Sequence, residues 1–385
     1  MNSSPQNDQN NDSNASETAR IERWVIKIGS ALITNNGNAL AHTSLDKWIP
    51  QIAALIKQGH EIVVVSSGAV AEGMRRLGWD KRPASLHGLQ SAAAVGQAGL
   101  MQSYQTRFAQ HDIQTAQILL VHDDLSSRTR YLNARQTINS LLALGTVPIV
   151  NENDTVATDE IRFGDNDTLA GLVANLVDAD KLLILTDQEG VFDDDPRTNP
   201  KAQLIECCPV TDKKLDQAAK GSGSLLGRGG MTTKISAARL AARSGTTTVI
   251  ANGNQTNIIA RLAAGESCGT QLTNTSKPIT ARKQWLAGGL QVKGQLCLDA
   301  GAASAIKNTG VSLLPVGLTA STGDFVRGDL VSCVDQQGNE IARGLVNYNA
   351  EETQRIMGRS SGELSDILGY ANDVELIHRN DLVVL

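Results

Sequence analysis

Aromatic residues make up only 3% of the 385-residue chain, so stacking on aromatic side chains cannot be a widespread means of recognition. Cysteine is scarce as well. Cys207, Cys208, Cys268, Cys297 and Cys333 are odd in number, irregular in spacing and contain no CxxC, which excludes a regular disulfide framework or zinc ribbon and fits reduced thiols in the cytoplasm. No apolar run approaches the roughly 18 residues of a membrane span. An excess of positive charge is also lacking. With 35 Lys+Arg against 40 Asp+Glu the net charge is −5, whereas nonspecific nucleic-acid binding calls for a basic domain. His42, His60, His87, His111, His122 and His378 form no metal-like pair, and no protein metal site is expected. Residues 1–20 contain no Leu, Ile, Val, Phe, Trp or Tyr and only one basic residue, Arg20. That is neither a secretory nor a transit peptide, and a disordered tail is expected.

What the chain does have is glycine, 35 of them, and a hydrophobic fraction of 41%, as in globular proteins with many tight turns. At roughly 150 residues per domain, its length suggests two or three folding units. Nearly continuous Val, Ile and Leu runs at residues 23–28, 61–65, 116–121, 147–150, 181–186 and 247–250 read as parallel strands covered on both faces. Helical segments at 44–58, 90–110, 134–144, 168–177 and 232–243 separate them; the last but one carries a stripe of Leu169, Leu172, Val173, Leu176 and Val177. The alternation predicts an α/β domain over residues 21–275, with a mainly parallel sheet and helices on both faces. A polar stretch, NTSKPITARK, supplies a linker at 276–284. From 285 to 385 short runs at 290–292, 294–298, 311–313, 329–333 and 341–346 are broken by glycines and one helix at 302–307, which predicts a small β-rich domain.

Polar residues at the ends of the apolar strands are the candidates for chemistry. Lys27 lies within WVIKIGS; it either faces water from an edge strand or serves a ligand at the carboxyl end of the sheet. Ser66-Ser67-Gly68 follows the second strand and precedes a helix, an arrangement suited to an anion or to simple capping. Asn151, Glu152, Asn153 and Asp154 follow VPIV, where Asp154 suits a substrate ammonium. Asp165, Asn166 and Asp167 precede an apolar helix, as caps or as a second wall of the same pocket. Thr186 and Asp187 end the strand KLLILT. The glycine-rich run from Gly221 to Lys234 either wraps a phosphate chain or is a surface loop, and it contains neither a Walker A nor a G-x-G-x-x-G motif.

Taken in order, WVIKIGSALIT, VSSGAVAEGMRRLGW, AAAVGQAGLMQSY, RYLNARQTI, VPIVNENDTVAT, FGDNDTLAGLVA, LLILTDQEGVF, DPRTNP and GRGGMTTKISAA resemble the glutamate 5-kinases of the amino-acid kinase superfamily. The passages LPVGLTASTGDFVRGDLV and GLVNYNAEE resemble the PUA domain of the bacterial members. The resemblance implies ATP-dependent phosphorylation of the L-glutamate side-chain carboxylate, the first step of proline biosynthesis, with Mg²⁺ arriving on the nucleotide. It implies that Lys27 and Lys234 contact the phosphoryl group in flight and that Asp165 holds the lysines. Ser67, Asp154 and Asn166 would bind glutamate. Lys27, Thr186, Asp187, Arg228, Gly229, Gly230, Met231, Thr232, Thr233 and Lys234 would bind ATP. Arg228 departs from the Thr-Gly-Gly that commonly begins the family's loop, which leaves its role open between an ATP contact and solvent. Inhibition by proline, assembly as a homo-oligomer (dimer or tetramer) and hand-off of the acyl phosphate to a glutamyl phosphate reductase are further implications. A kinase for another carboxylate, such as aspartate, is the alternative within the superfamily. RNA binding by the C-terminal module is the alternative outside it. Residues 281–385 hold nine Lys+Arg and twelve Asp+Glu, 9 − 12 = −3, which argues for a structural or regulatory module.

Overall fold

The first strand, β1 (Arg23–Ile28), is buried along almost its whole length because it lies at the centre of an eight-stranded sheet. The computed structural model describes residues 20–34, 42–157, 166–221, 230–274, 292–370 and 373–385. Seven more strands complete this sheet: β2 (Glu61–Val65), β3 (Thr115–Leu120), β4 (Val147–Glu152), β5 (Lys181–Thr186), β6 (Cys207–Pro209), β7 (Thr247–Asn252) and β8 (Thr270–Thr273). Their spatial order is β3-β4-β2-β1-β5-β7-β8-β6. All neighbours are parallel except β7 and β8. The chain therefore leaves β1 toward β2 on one side and returns at β5 on the other. That is the switch point at which open α/β sheets form their ligand crevice, beyond the strand carboxyl ends.

The two-residue period of a strand assigns the faces. Trp24, Ile26 and Ile28 enter one apolar core with Leu45, Trp48, Ile52, Leu100 and Phe108, beneath the helices His42–Lys57 and Leu86–Ala109. Val25 enters the opposite core with Val63, Val65, Leu169, Val173 and Ile235, beneath the helices Arg128–Ala143, Asn166–Leu176 and Met231–Ala241. Helices thus cover both faces, and Lys27, two residues beyond Val25, points toward the second set.

A second sheet of five strands has the order β10-β9-β11-β12-β13, built from β9 (Gly294–Leu298), β10 (Leu318–Gly323), β11 (Leu330–Val334), β12 (Glu340–Leu345) and β13 (Leu382–Val384). It surrounds its own core of Leu296, Leu298, Ile306, Phe325, Val331 and Tyr348. One expectation needs correction here. Residues 311–313 form no strand, only a bridge from Leu313 to Ile377. β10, with the small and polar sequence LTASTG, and the three-residue β13 carry no apolar run by which to recognise them. The linker at 276–284, residues 1–19 of the tail and most of the run at 290–292 lie outside the described residues.

The two sheets meet at the helix Arg128–Ala143. Leu132 packs against Leu330, Leu345 and Val383, and the buried Arg135 pairs with Asp178 at 2.5 Å and with Asp381 at 3.4 Å. All five cysteines are free. Among the described residues no helix is long and apolar enough to cross a membrane.

Candidate active site

Lys27 is only 5% exposed, and its register neighbours, Val65 of β2 and Ile184 of β5, show it to be on a central strand. The edge-strand alternative is therefore excluded. Burying an ammonium requires a counter-charge, and Asp167 supplies it. The Lys27 Nζ lies 2.5 Å from Asp167 Oδ1, and Lys234 Nζ lies 3.0 Å from Asp167 Oδ2. Thr233 Oγ1 donates to the same Oδ2 at 2.7 Å. Burial alone would raise the Asp167 pKa, but Lys27 and Lys234 hold its carboxyl well below the usual carboxylate range. Burial also lowers the Lys234 pKa, with Asp167 opposing it. One carboxylate thus holds two ammonium groups apart at the carboxyl end of β1.

The two helices that carry Asp167 and Lys234 are set by a tight contact one turn further on. A Cβ on Gly171 would come within 2.6 Å of the Ala237 carbonyl oxygen, and Ala170, Ala174 and Ala238 are buried alongside. Gly171 is four residues from Asp167, and Ala237 is three from Lys234, so each lies on the same helix face as its charged neighbour. Gly171→Val must push the helices apart. We expect kcat to fall by about 10²-fold, as for other small displacements of catalytic groups. An unchanged kcat in a folded variant would mean that this seam does not position the lysines.

A second polar cluster adjoins the first. Asn166 Nδ2 lies within hydrogen-bonding distance of three acceptors: the Ser66 carbonyl at 2.6 Å, Ser67 Oγ at 2.8 Å and Asn151 Oδ1 at 3.1 Å. Asn151 Nδ2 in turn donates to Gln97 Oε1 at 2.9 Å. Ser66 and Ser67 are not helix caps; the following helix, Ala69–Leu77, starts at Gly68, whose φ of 106° suits glycine, with no side-chain cap. Asp154 lines a cavity of about 20 Å³ together with Gln97, Glu152 and Asn153. Burial pushes the Asp154 pKa up to about 6, against the pull of Arg82, as expected of a carboxylate with no contact ion pair among the described residues.

The third element is the start of the helix Met231–Ala241. Gly230 caps it with no side-chain hydrogen bond, and the positive end of a helix dipole suits an anion. Thr186 Oγ1 donates to Asp187 Oδ1 at 3.1 Å at the end of β5. The Met231 side chain packs into the core, so any role it has toward a nucleotide is through its backbone. Arg228, Gly229 and Asp165 lie outside the described residues. The carboxylate that holds both lysines is Asp167, a residue the sequence presented only as a cap or as part of a pocket wall. Its signal was available: Asp167, Ala170, Gly171 and Ala174 follow helical spacing along a seam of small residues. Gln97 carried no such signal, because it joins this cluster only through the fold.

Two buried lysines around one carboxylate, a helix N-terminus and a serine-glycine turn lie at a sheet switch point, an arrangement suited to an anionic ligand. The amino acid kinase family model matches residues 22–252 and the PUA domain model residues 294–368. Glutamate 5-kinase of Hydrogenovibrio crunogenus is 56% identical over 365 residues, 95% of this chain and 97% of its own. Glutamate 5-kinase of Chromohalobacter salexigens is 57% identical over 366 residues, with 95% and 97% covered, and that of Hahella chejuensis is 57% identical over 378 residues, with 98% of each covered. Among solved structures, UMP kinase from Bacillus anthracis superimposes with a TM-score of 0.46 at 16% identity, covering 67% of this chain and 98% of that one. The chain is a kinase that belongs to the amino acid kinase family and, within it, to the glutamate 5-kinases.

Proposed function

We propose that the protein transfers the γ-phosphoryl group of ATP to the side-chain carboxylate of L-glutamate, forming L-glutamyl 5-phosphate. The observation that carries this reading is the Lys27–Asp167–Lys234 triad directly beside the Ser67–Asn166 pair. A side-chain carboxylate has an ordinary pKa near 4.3 and is already ionised at neutral pH, so the reaction requires no general base. The barrier is electrostatic, because an anion must approach the anionic γ-phosphate in line. Lys27 and Lys234 offset that repulsion and the charge on the transferring oxygens. Asp167 keeps both lysines fixed at the point of transfer, so little reorganisation is required during reaction. Ser67 and Asn166 orient the acceptor carboxylate, and Asp154 takes the substrate ammonium. Gly230, Thr232 and Thr233 at the start of their helix, with Thr186 and Asp187, bind the nucleotide, whose phosphates bring Mg²⁺ with them.

The same reading places the enzyme in the cytoplasm at the first step of proline biosynthesis, as a homo-oligomer that passes its acyl phosphate to a reductase. Proline, an amino acid of similar head group, is proposed to inhibit by competing with glutamate. The test is ATP-dependent hydroxamate formation over a panel of amino acids, aspartate included, with and without proline. Product from glutamate alone, with proline raising only the glutamate KM, is expected. Equal product from aspartate would overturn the substrate assignment, and noncompetitive proline inhibition would overturn the shared pocket.

A further inference from the structure

The amide cluster next to the triad has a direction. The Ser66 carbonyl can only accept, so the group of Asn166 that reaches it is its Nδ2 donor. With Asn166 fixed, Asn151 must turn its Oδ1 toward Asn166 and its Nδ2 outward. Gln97 must then turn its Oε1 toward Asn151. A backbone carbonyl thus fixes the orientation of three amides in succession, and the chain ends in a donor, Gln97 Nε2. That nitrogen is buried and has no hydrogen-bond partner among the described residues. A buried amide donor left unpaired costs about 1–3 kcal/mol, a cost that a binding site recovers when its ligand arrives.

The surroundings indicate what the ligand group is. Gln97 and Asp154 line the same cavity of about 20 Å³, room for about one oxygen-sized atom. Glu152, on the same wall, already has an interaction within the protein. One free donor and one carboxylate lacking a contact cation, side by side, complement a group that brings one anionic oxygen and one cation. The α-carbon of a zwitterionic amino acid is such a group. The cluster also leads away from the phosphoryl lysines, from Asn166 through Asn151 to Gln97, as the backbone of glutamate leads away from its reacting carboxylate.

We propose that Gln97 is a specificity residue whose Nε2 donates to the α-carboxylate of the amino-acid substrate, while Asp154 takes the α-ammonium. The inference rests on the pocket being the glutamate site. It separates glutamate from acceptors that keep the side-chain carboxylate and the ammonium but lack the α-carboxylate.

The experiment compares wild type and Gln97→Glu on L-glutamate and on its α-amide, isoglutamine. In the variant, the new carboxylate still accepts from Asn151 but repels an α-carboxylate and accepts from an α-amide. The KM for glutamate is expected to rise about 10- to 100-fold, the worth of a hydrogen bond to a charged group. The preference for glutamate over isoglutamine should reverse. A glutamate KM within about twofold of wild type, or equal losses on both acceptors, would overturn the proposal; equal losses would mean that Gln97 merely supports the fold. Should Gln97→Glu not fold, Gln97→Met is compared on glutamate and 4-aminobutyrate, which has no α-carboxylate. Only glutamate turnover should suffer, and equal losses overturn the proposal. Wild-type protein that fails to phosphorylate glutamate sinks the functional reading itself, whereas a normal wild type with an indifferent Gln97→Glu sinks only the role of Gln97.

Discussion

Replacing Lys27 or Lys234 with alanine is expected to lower kcat by about 10²-fold or more, the usual cost of losing one preorganised charge at the transferring group. The two lysines are not redundant, since each holds a different oxygen of Asp167. Removing either leaves one side of the transfer path without positive charge. Each variant also leaves Asp167 with one cation instead of two, and breaking a buried ion pair destabilises by about 3–5 kcal/mol when one charge is left alone. Here the second lysine remains, so the loss of stability should be smaller than that. The measurement is kcat at saturating glutamate and ATP, alongside a thermal melt. Near-wild-type kcat in either variant would refute the assigned role, whatever the melt shows. Arginine in place of Lys27 should fail as alanine does, because a planar guanidinium does not fit a buried site shaped around a single nitrogen.

Asp154→Asn is expected to raise the glutamate KM by about 10²-fold while the ATP KM stays near its wild-type value, as for loss of one partner of a desolvated charge pair. The pKa of Asp154, raised by burial to about 6, adds a pH signature. The glutamate side chain and ammonium keep their charges between pH 6 and 8. The kcat/KM for glutamate should therefore fall as pH drops through about 6, where the free enzyme protonates Asp154 and loses its hold on the ammonium. The sign for stability runs the same way as for any carboxylate of raised pKa. The folded state binds the proton more tightly than the unfolded state, so Asp154 makes its most favourable contribution below pH 4 and loses it as pH rises to about 6. Asp154→Asn should abolish both effects. An acid limb that survives in Asp154→Asn would belong to another group, and a change confined to ATP affinity would remove Asp154 from the acceptor pocket.

Much of the kinase sheet was legible because parallel strands covered on both faces read as unbroken apolar runs. β1, β2 and β5 occupy the expected residues, and Lys27 stands out in such a run because a charge there is costly. β6 and β8 were not legible, because β6 is a short, mostly exposed edge strand and β8, one strand in, is short and alternates buried with less buried residues. The lysines, Ser67 and Asn166 were expected together, and the structure brings them together. The identity of the bridging carboxylate was not legible from GDNDT, where three polar residues can all serve as helix-start residues. What singles out Asp167 is the helical spacing it shares with Ala170, Gly171 and Ala174, the seam that packs against the helix of Lys234. Gln97 lies farther out of reach of sequence reasoning: it sits in an alanine- and glycine-rich helix, and its significance depends on hydrogen bonds to residues 54 and 69 positions away, Asn151 directly and Asn166 through it.

The central claim is that a glutamate carboxylate oxygen attacks the γ-phosphorus between Lys27 and Lys234. Glutamate labelled with ¹⁸O in its side-chain carboxylate tests it directly. The enzyme is supplied with ATP and hydroxylamine, and the released phosphate is analysed by mass. Hydroxylamine attacks the acyl carbon, so the oxygen that bridged carbon and phosphorus leaves with the phosphate. Phosphate carrying one ¹⁸O, in step with γ-glutamyl hydroxamate, is the predicted result. Unlabelled phosphate without hydroxamate would mean that water, not glutamate, is the acceptor and would contradict the account.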